Sequence, residues 1–454
     1  MRITVIGTGY LGAVHAACMA SIGHEVMGID SDVNKIGELA EGRSPFFEPG
    51  LAAILNEGIE SGRLRFSTSL EEAGRFGDVH FICVGTPQLA GSYAADVSAV
   101  DHAVRSLVPC TQDCLVVGKS TVPVGTADRL VEEIAEDTQD GCEVELAWNP
   151  EFLREGTAIQ NTLNPDRLVV GVSSAHAEAV LRGVYFPMIE AGTPYIVTDL
   201  QTAELVKVSA NAFLATKVSF INVIADICDA ANADVVTLAK ALGYDRRIGG
   251  EALGAGLGFG GGCLGKDIRA LSARADELGA ADAVSFLAGV VGTNSGRRRR
   301  AVDTARNMVG GTFNGRRVAI LGVSFKPDTD DVRDSPALSV AIAAQRQGAA
   351  VLAHVPQAIE NARALYPQLE YVTDVSKACE DADIVLHLTE WRQYADLDPG
   401  ELRQVVRHPR IFDARNTLPL QRWHTAGWTT RAFGHQALPT KLSALRVMAP
   451  SQER

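Results

Sequence analysis

Short runs of β-branched and apolar residues recur along the first part of the chain, each separated from the next by a stretch with helical spacing. Ile3–Ile6, Glu25–Ile29, Val79–Val84, Leu115–Val117, Glu145–Trp148, Leu168–Gly171 and Tyr195–Val197 are brief and largely apolar, as strands buried on both faces of a parallel sheet are. With the helices between them they predict a series of βαβ units. From Gln201 to Ala231 the pattern changes. This stretch is rich in Ala, Val, Ile and Leu and has neither Pro nor Gly, which predicts one long, mostly buried helix, with helical spacing continuing patchily to about Leu242. Gly249–Gly265 is dense in glycine, the composition of a loop whose backbone approaches something closely. Helical spacing resumes over Asp267–Leu278 and Val284–Val309. A second alternating region begins near Arg316, with strands expected at Val318–Gly322, Ala350–Ala353, Ile384–Leu388 and Arg410–Phe412. The expected class is α/β: two parallel-sheet domains joined by a long central helix and a helical middle domain, divided at 1–200, 201–310 and 311–454.

Bulk properties narrow the function. The 454 residues carry a net charge of −13, which on average repels polyanions and argues against nucleic-acid or acidic-membrane binding. An anionic substrate stays possible, because a local cluster of Lys and Arg decides that. The 8 cysteines are scattered without a paired C-x-x-C, so neither a zinc site nor any other metal is expected, and the length makes disulfide staples unnecessary. The opening residues read as a strand rather than a leader, and no unbroken apolar run reaches the length of a membrane span. The expectation is a reduced, cytoplasmic enzyme. Arg297–Arg300 reads as a solvated helix face.

Chemistry enters at the strand ends. Gly7-Thr8-Gly9-Tyr10-Leu11-Gly12 follows the first strand and opens a helix. In G-x-G-x-x-G the first glycine permits the tight turn, the second the approach of a pyrophosphate, and the third the packing of helix on strand, while the helix N-terminus offers free N–H groups to the phosphates. Asp30, at the end of the second strand, suits a ribose 2′-OH and repels a 2′-phosphate, which favours NAD over NADP. Lys35 is a weaker candidate for a ribose or phosphate contact. Thr86 and Thr121 follow the third and fourth strands and would lie beside the nicotinamide, although both also suit plain turns.

Asn149-Pro150-Glu151-Phe152-Leu153-Arg154-Glu155-Gly156 begins beyond another strand end. Its two carboxylates either face one cavity, one handling protons or water and the other the cofactor, or are ordinary helix-start acids. Lys207 and Asn211 are i and i+4 on the long helix and share a face. A lysine there snorkels, or carries a proton with a lowered pKa, or stays charged and stabilises an alkoxide. Gly258-Phe259-Gly260-Gly261-Gly262-Cys263-Leu264-Gly265-Lys266-Asp267 is the strongest local signal. A Cys between a glycine loop and a helix start, next to Lys266, is expected to have a lowered pKa and to act as a nucleophile. In the second alternating region Phe325-Lys326-Pro327, Arg333 and Arg415 follow strand ends. That region lacks G-x-G-x-x-G and suits a nucleotide phosphate better than a second NAD.

Together these motifs resemble the UDP-glucose/GDP-mannose dehydrogenase family, in the same order from Gly7 to about Arg415. The resemblance implies an NAD-dependent four-electron oxidation of a nucleotide-sugar C6 alcohol to the uronate, UDP-glucose to UDP-glucuronate in the first instance and GDP-mannose as the competing substrate. It implies a Rossmann-like NAD domain, a Rossmann-like UDP domain, and a central helix forming a homodimer core. It makes Cys263 the nucleophile that passes through a thiohemiacetal and a thioester, with Asp267 as its partner. Lys207 and Asn211 hold the sugar and stabilise the oxyanion. Thr121 and Glu151 match the water-site and acid/base residues. Glu155, Lys266 and Arg333 contact cofactor, and Phe152, Leu153, Phe259, Gly260, Phe325, Lys326 and Arg415 contact substrate. Arg247 matches an arginine reaching the neighbouring subunit's substrate. The sequence departs from the family at Gly265, usually Pro, and at Ala414 in Asp413-Ala414-Arg415, usually Gly. Two rivals remain: a two-electron dehydrogenase that would not need Cys263, and a non-catalytic NAD and sugar-nucleotide sensor.

Overall fold

The computed structural model describes residues 1–435. Every run expected to be a strand is one, with ends shifted by a residue or two. The first sheet contains β1 (Arg2–Ile6), β2 (Glu25–Ile29), β3 (Leu64–Ser67), β4 (Val79–Ile82), β5 (Cys114–Gly118), β6 (Val144–Trp148), β7 (Leu168–Val172) and β8 (Tyr195–Thr198), in the order β3-β2-β1-β4-β5-β6-β7-β8. The first six strands have the dinucleotide-binding order 3-2-1-4-5-6. All neighbours pair in parallel except β6 and β7, which are antiparallel, so the sheet is mixed where a wholly parallel one was expected. Side chains alternate between faces as the pleat requires. Ile3, Val5, Val79 and Phe81 join the core on one side, and Ile6, Met27, Ile82 and Val116 the core on the other.

The second sheet has β9 (Arg317–Leu321), β10 (Ala350–His354), β11 (Glu370–Val372), β12 (Ile384–His387), β13 (Arg410–Asp413) and β14 (Thr429–Ala432), in the order β11-β10-β9-β12-β13-β14. This is the same 3-2-1-4-5-6 arrangement, parallel throughout. Val318 and Ile320 face one core, Ala319 and Leu321 the other. The sequence pattern missed β3, β11 and β14, three edge strands of only three or four residues.

A 32-residue helix, Leu200–Ala231, lies between the sheets in the chain. By length and composition it is the one helix among the described residues able to cross a membrane, yet Ala203, Ala215, Ile221 and Ala225 are fully buried in protein. The chain divides into two compact units. One comprises Met1–Thr216, Gly260–Gly289 and Asp328–Asp331; the other comprises Lys217–Phe259, Val290–Pro327 and the described residues from Val332.

One expectation at a charged run fails. Arg297 is buried rather than solvated: it pairs with Asp226, donates to Gly256 O at 3.0 Å, and stacks 3.9 Å over the Phe433 ring. Its neighbours Arg298 and Arg300 pair with Asp334 and Asp229. The run's i, i+3 spacing places these guanidiniums against acids that are distant in sequence, and no local pattern shows this.

Candidate active site

The first turn is built as its glycines require. Gly7 has φ +91°, and Gly12 packs so closely that an added Cβ would stand 1.8 Å from Gly7 O. Gly9 is different: a Cβ there would meet nothing within 4 Å. The open space over Gly9, at the start of helix Tyr10–Ser21, is where a pyrophosphate would approach the backbone. At the end of β2, Asp30 accepts from Thr8 N at 2.9 Å and from Lys35 Nζ at 2.8 Å. Burial raises the pKa of this carboxyl, but Lys35 and the Asp32 and Thr8 amides outweigh burial and hold it below its ordinary value. It is thus an ionised acceptor, the state a ribose hydroxyl needs. Lys35 is engaged with Asp30 itself. Tyr10 donates to Glu48, a buried acid that also accepts from Gly156 N at 2.6 Å and Ala158 N at 2.8 Å. Glu48 therefore ties the glycine turn to the Glu155-Gly156 segment, a role its sequence context did not signal.

The residues of the expected chemical constellation converge in the first unit. Lys207 Nζ lies 2.6 Å from Glu151 Oε1, with both side chains largely buried. Asn211 donates to Asp267 Oδ2 at 2.6 Å. Asp267 is fully enclosed, and its Oδ1 lies 3.0 Å from Lys266 Nζ without hydrogen-bond geometry, so that oxygen keeps lone pairs for another donor. Lys266 also reaches Thr86 Oγ1 at 3.4 Å, and Thr86 donates to Thr121 O at 2.7 Å. Glu155 accepts from Thr329 at 2.9 Å, and Gly156 is glycine where a Cβ would stand 2.9 Å from Asp328. Phe152 stacks 3.8 Å from the Arg167 guanidinium, while Leu153 N donates back to Glu151 Oε2 at 2.7 Å.

Cys263 occupies the N-cap of helix Leu264–Glu277, as expected, and its side chain reaches solvent. Its electrostatics correct the expectation. Instead of being lowered, its pKa is pushed up to about 11: surrounding protein desolvates the sulfur, Asp267, Glu151 and Glu155 repel a thiolate, and only Lys207 favours it. Exposure and desolvation are compatible for a sulfur on the wall of a concave site, reachable from one side and crowded from the others. The helix end and Lys266 were the expected activators. Lys266 is turned to Asp267, and burial together with the acids facing the sulfur sets the direction of the shift. Lys207 moves the opposite way. Burial lowers the pKa of its ammonium, but Glu151, Cys263 and Asp267 more than compensate, and the net shift is upward.

The remaining expected residues lie in the second unit, except Gly260 and Gly265, which belong to the first. Arg415 donates to Leu388 O at 2.7 Å and Phe325 O at 3.0 Å and lies 3.1 Å from Glu390. It is held at the carboxyl ends of β12 and β9, where a parallel sheet receives a ligand. Lys326 stands 5.6 Å from the Phe325 ring. Phe259 is clamped by Asn294, which accepts from its N–H at 2.8 Å and donates to its carbonyl at 2.9 Å. The tolerance for Ala414 is local: its side chain is buried, and the close approach to its carbonyl, 2.9 Å, comes from the place a Cβ would take on Gly256. Gly265 is buried within the first turn of the Cys263 helix. Arg333 follows Asp328–Asp331 in the chain, and Arg247 is exposed, paired with its own neighbour Asp245 at 2.6 Å.

Sequence reasoning missed Lys119 as more than a turn neighbour. Fully enclosed, it donates to Asn149 Oδ1 at 2.8 Å, and burial pushes its pKa down to about 8. A lysine within a strand-end run was the available signal. Glu204 was also missed. It caps the helix beyond Thr121 by accepting from Gly125 N and Ala127 N, both at 2.7 Å.

Two 3-2-1-4-5-6 sheets, one with a complete phosphate turn and an ionised acid at the end of β2, define an NAD-dependent dehydrogenase. Comparison with known proteins agrees in detail. Residues 1–189 match the NAD binding domain of the UDP-glucose/GDP-mannose dehydrogenase family, residues 201–295 its central domain, and residues 319–419 its UDP binding domain. The chain is 42% identical over 419 residues to a UDP-glucose 6-dehydrogenase of Rhizobium meliloti, covering 92% of this chain and 95% of that protein. It is 38% identical to the UDP-glucose 6-dehydrogenase YwqF of Bacillus subtilis, covering 96% and 98%. A solved UDP-glucose dehydrogenase from Pyrobaculum islandicum superposes with a TM-score of 0.87 at 36% identity, covering 96% of this chain and 98% of that one. The chain belongs to the UDP-glucose/GDP-mannose dehydrogenase family. It is an NAD-dependent oxidoreductase acting on a nucleotide sugar.

Proposed function

We propose that this enzyme oxidises the C6 alcohol of UDP-glucose to UDP-glucuronate through a covalent intermediate on Cys263. The observation that carries this reading is the convergence of Cys263, Lys207, Glu151, Asn211 and Asp267 in one unit with the dinucleotide turn. The full-length likeness to UDP-glucose 6-dehydrogenases supports the substrate. Functionally we read the chain as a cofactor segment to about residue 200, a helical substrate and dimer segment to about 310, and a UDP segment beyond.

Bound NAD supplies the hydride acceptor for both oxidations. Gly7, Gly9, Tyr10, Leu11, Gly12, Asp30, Thr86, Glu155, Lys266 and Arg333 hold it. Phe152, Leu153, Phe259, Gly260, Phe325, Lys326 and Arg415 hold the substrate. Lys207 stays protonated and stabilises the developing alkoxide. The Cys263 thiol adds to the aldehyde, giving a thiohemiacetal that a second oxidation converts to a thioester. Water held by Thr121, Glu151 or the free Asp267 oxygen hydrolyses it. Splitting the four-electron oxidation on the sulfur keeps the aldehyde from escaping.

A second copy completes the enzyme. Phe213, Phe220, Val223 and Ile227 lie exposed along one stripe of the long helix, and heptad-spaced apolar residues left in water seek a like partner. Arg247, exposed, would then reach the substrate of that partner. A reducing, cytoplasmic setting fits the free cysteines.

Incubation with NAD and separate UDP-glucose, GDP-mannose and UDP-N-acetylhexosamine samples tests the proposal. Two NADH per UDP-glucose consumed, with little turnover of the others, is the expected result. One NADH per sugar, or full turnover by Cys263→Ser, overturns it.

A further inference from the structure

Against Glu151, and bordered by Leu11, Phe152 and Leu153, the first unit holds a chamber whose inner wall, at His15, Lys119 and Tyr185, has no part in the mechanism so far. Its lining includes His15, Lys119, Glu151, Thr162, Arg167 and Tyr185, and it holds ≈ 50 Å³ of space for water centres. A single water needs roughly 10–15 Å³ on this measure, so the chamber accommodates a short chain of waters. Its outer rim reaches the surface at Asp166, which is exposed.

The inner wall is polar and only partly satisfied. His15, 1% exposed, has no hydrogen-bond partner at either ring nitrogen. Its ring packs edge-on against Phe81 at 4.5 Å. Burial, then Lys119, then His24 hold its pKa well below the ordinary range, so it is a neutral imidazole with one donor and one acceptor free. Tyr185 donates to Asn149 Oδ1 at 2.5 Å, and Lys119 donates to the same oxygen and to the Tyr185 hydroxyl at 3.4 Å. A buried imidazole with two idle nitrogens would be replaced by a hydrocarbon if it served only to fill space. Water is the ligand that such a wall and such a volume select.

We propose that this chamber is a water-filled exit through which Glu151 passes protons to solvent while cofactor and substrate cover its other face. The inference rests on the reading of Glu151 as the acid/base of the reaction. The balance requires such a path. Thioester plus water gives carboxylate, the regenerated Cys263 thiol and one proton, and each of the two alcohol-level oxidations releases another. His15 bridges the waters by accepting on one nitrogen and donating on the other, and the Lys119–Asn149–Tyr185 cluster fixes the inner end of the chain.

The test uses full-length enzyme at saturating UDP-glucose and NAD, following NADH by stopped flow and uronate by rapid quench. His15→Leu removes the relay at similar volume. The expected result is a melting temperature equal to or above that of wild type, a slower first NADH burst, thioester hydrolysis slowed about ten-fold, and a larger solvent deuterium isotope effect on kcat. His15→Asn, which keeps a polar group for water, should recover much of the lost rate. Thr162→Met, which fills part of the chamber with a larger side chain, should give the same slowing and decides the matter if His15→Leu does not fold. Hydrolysis within two-fold of wild type and an unchanged isotope effect in the folded variants overturn the proposal. Glu151→Gln, run in parallel, separates the two readings. If it hydrolyses the thioester normally, the role of Glu151 falls; if it stalls while the chamber variants do not, only the exit falls.

Discussion

The Cys263 thiol should be sluggish in the free enzyme, which is the opposite of what a glycine loop, a helix start and an adjacent lysine suggest. With its pKa near 11, only about three molecules in ten thousand carry a thiolate at pH 7.5, against about one in ten for a free cysteine near 8.5. That is a deficit of about 300-fold. Each thiolate is intrinsically more nucleophilic, because a Brønsted coefficient of about 0.4–0.5 over about 2.5 units returns roughly a factor of 13. Iodoacetamide should therefore modify Cys263 about 20-fold more slowly than a free thiol at pH 7.5. The log of the rate should rise with unit slope to at least pH 10, and the slope is independent of steric access. Mass spectrometry of the Cys263 peptide separates it from the half-buried Cys110 and Cys142. Asp267→Asn removes the largest repelling charge and should move the inflection down, while Lys207→Met removes the one favourable charge and should move it up. An inflection between pH 6 and 7.5 in wild type would refute the electrostatic account.

Three further outcomes follow from particular contacts. Asp30→Ala removes the ionised acceptor at the end of β2; hydrogen bonds to charged groups contribute about 1.5–3 kcal/mol, so KM for NAD should rise about 10- to 100-fold with kcat largely kept, and discrimination against NADP should shrink. Glu204 is raised by burial to about 7 despite accepting two helix-start amides. Since its folded pKa lies above the unfolded value, its contribution is complete below about pH 4.3 and fades as pH rises through about 7. The stability difference between wild type and Glu204→Gln, measured by denaturant titration, should thus fall by up to about 3 kcal/mol between pH 4.5 and 7.5, and a flat difference contradicts this. Phe213→Asp with Phe220→Asp should shift sedimentation from dimer to monomer; an unchanged coefficient would remove the long-helix stripe from the interface.

The legible parts of the sequence are those where local backbone demands and chemistry coincide. Gly7, Gly9 and Gly12 could be read because each has a separate geometric demand: a positive φ at Gly7, open space over Gly9 and close packing at Gly12. The helix Leu200–Ala231 could be read because no Pro or Gly interrupts its apolar period. β3, β11 and β14 could not, because edge strands of three or four residues are too short for a pattern to stand out: Leu64–Ser67 alternates over only four positions, and Thr429–Ala432 has a single apolar residue. Charge partners were the least legible. Glu48, Glu204 and Arg297 act across 70 or more residues of chain, and the raised Cys263 pKa comes first from burial, then from Asp267 on its own helix and from Glu151 and Glu155 of one distant segment. A local motif shows which group is reactive; the state of that group depends on what the fold brings beside it.

Lys207 shows how such a state decides a chemical role. A lysine in an apolar helix can act as a proton carrier, which requires a pKa lowered toward neutrality, or as a fixed charge, which requires the reverse. Burial lowers it, but Glu151 at 2.6 Å, with Cys263 and Asp267 beyond, produces a net upward shift, so the ammonium stays charged through the working range. Its contribution is then electrostatic, and removing one such group from an oxyanion site costs about 10²–10³ in kcat. Lys207→Gln should show that loss evenly from pH 6 to 9, with Glu151 left without its cationic partner. If Lys207 instead moved protons, added primary amines would restore turnover in proportion to their basicity, and the wild-type profile would carry a lysine ionisation that the variant lacks. Measuring the amine series against Lys207→Gln distinguishes the two: a Brønsted dependence would overturn the fixed-charge role, and rescue that ignores amine basicity, or no rescue at all, is what a permanent ammonium predicts.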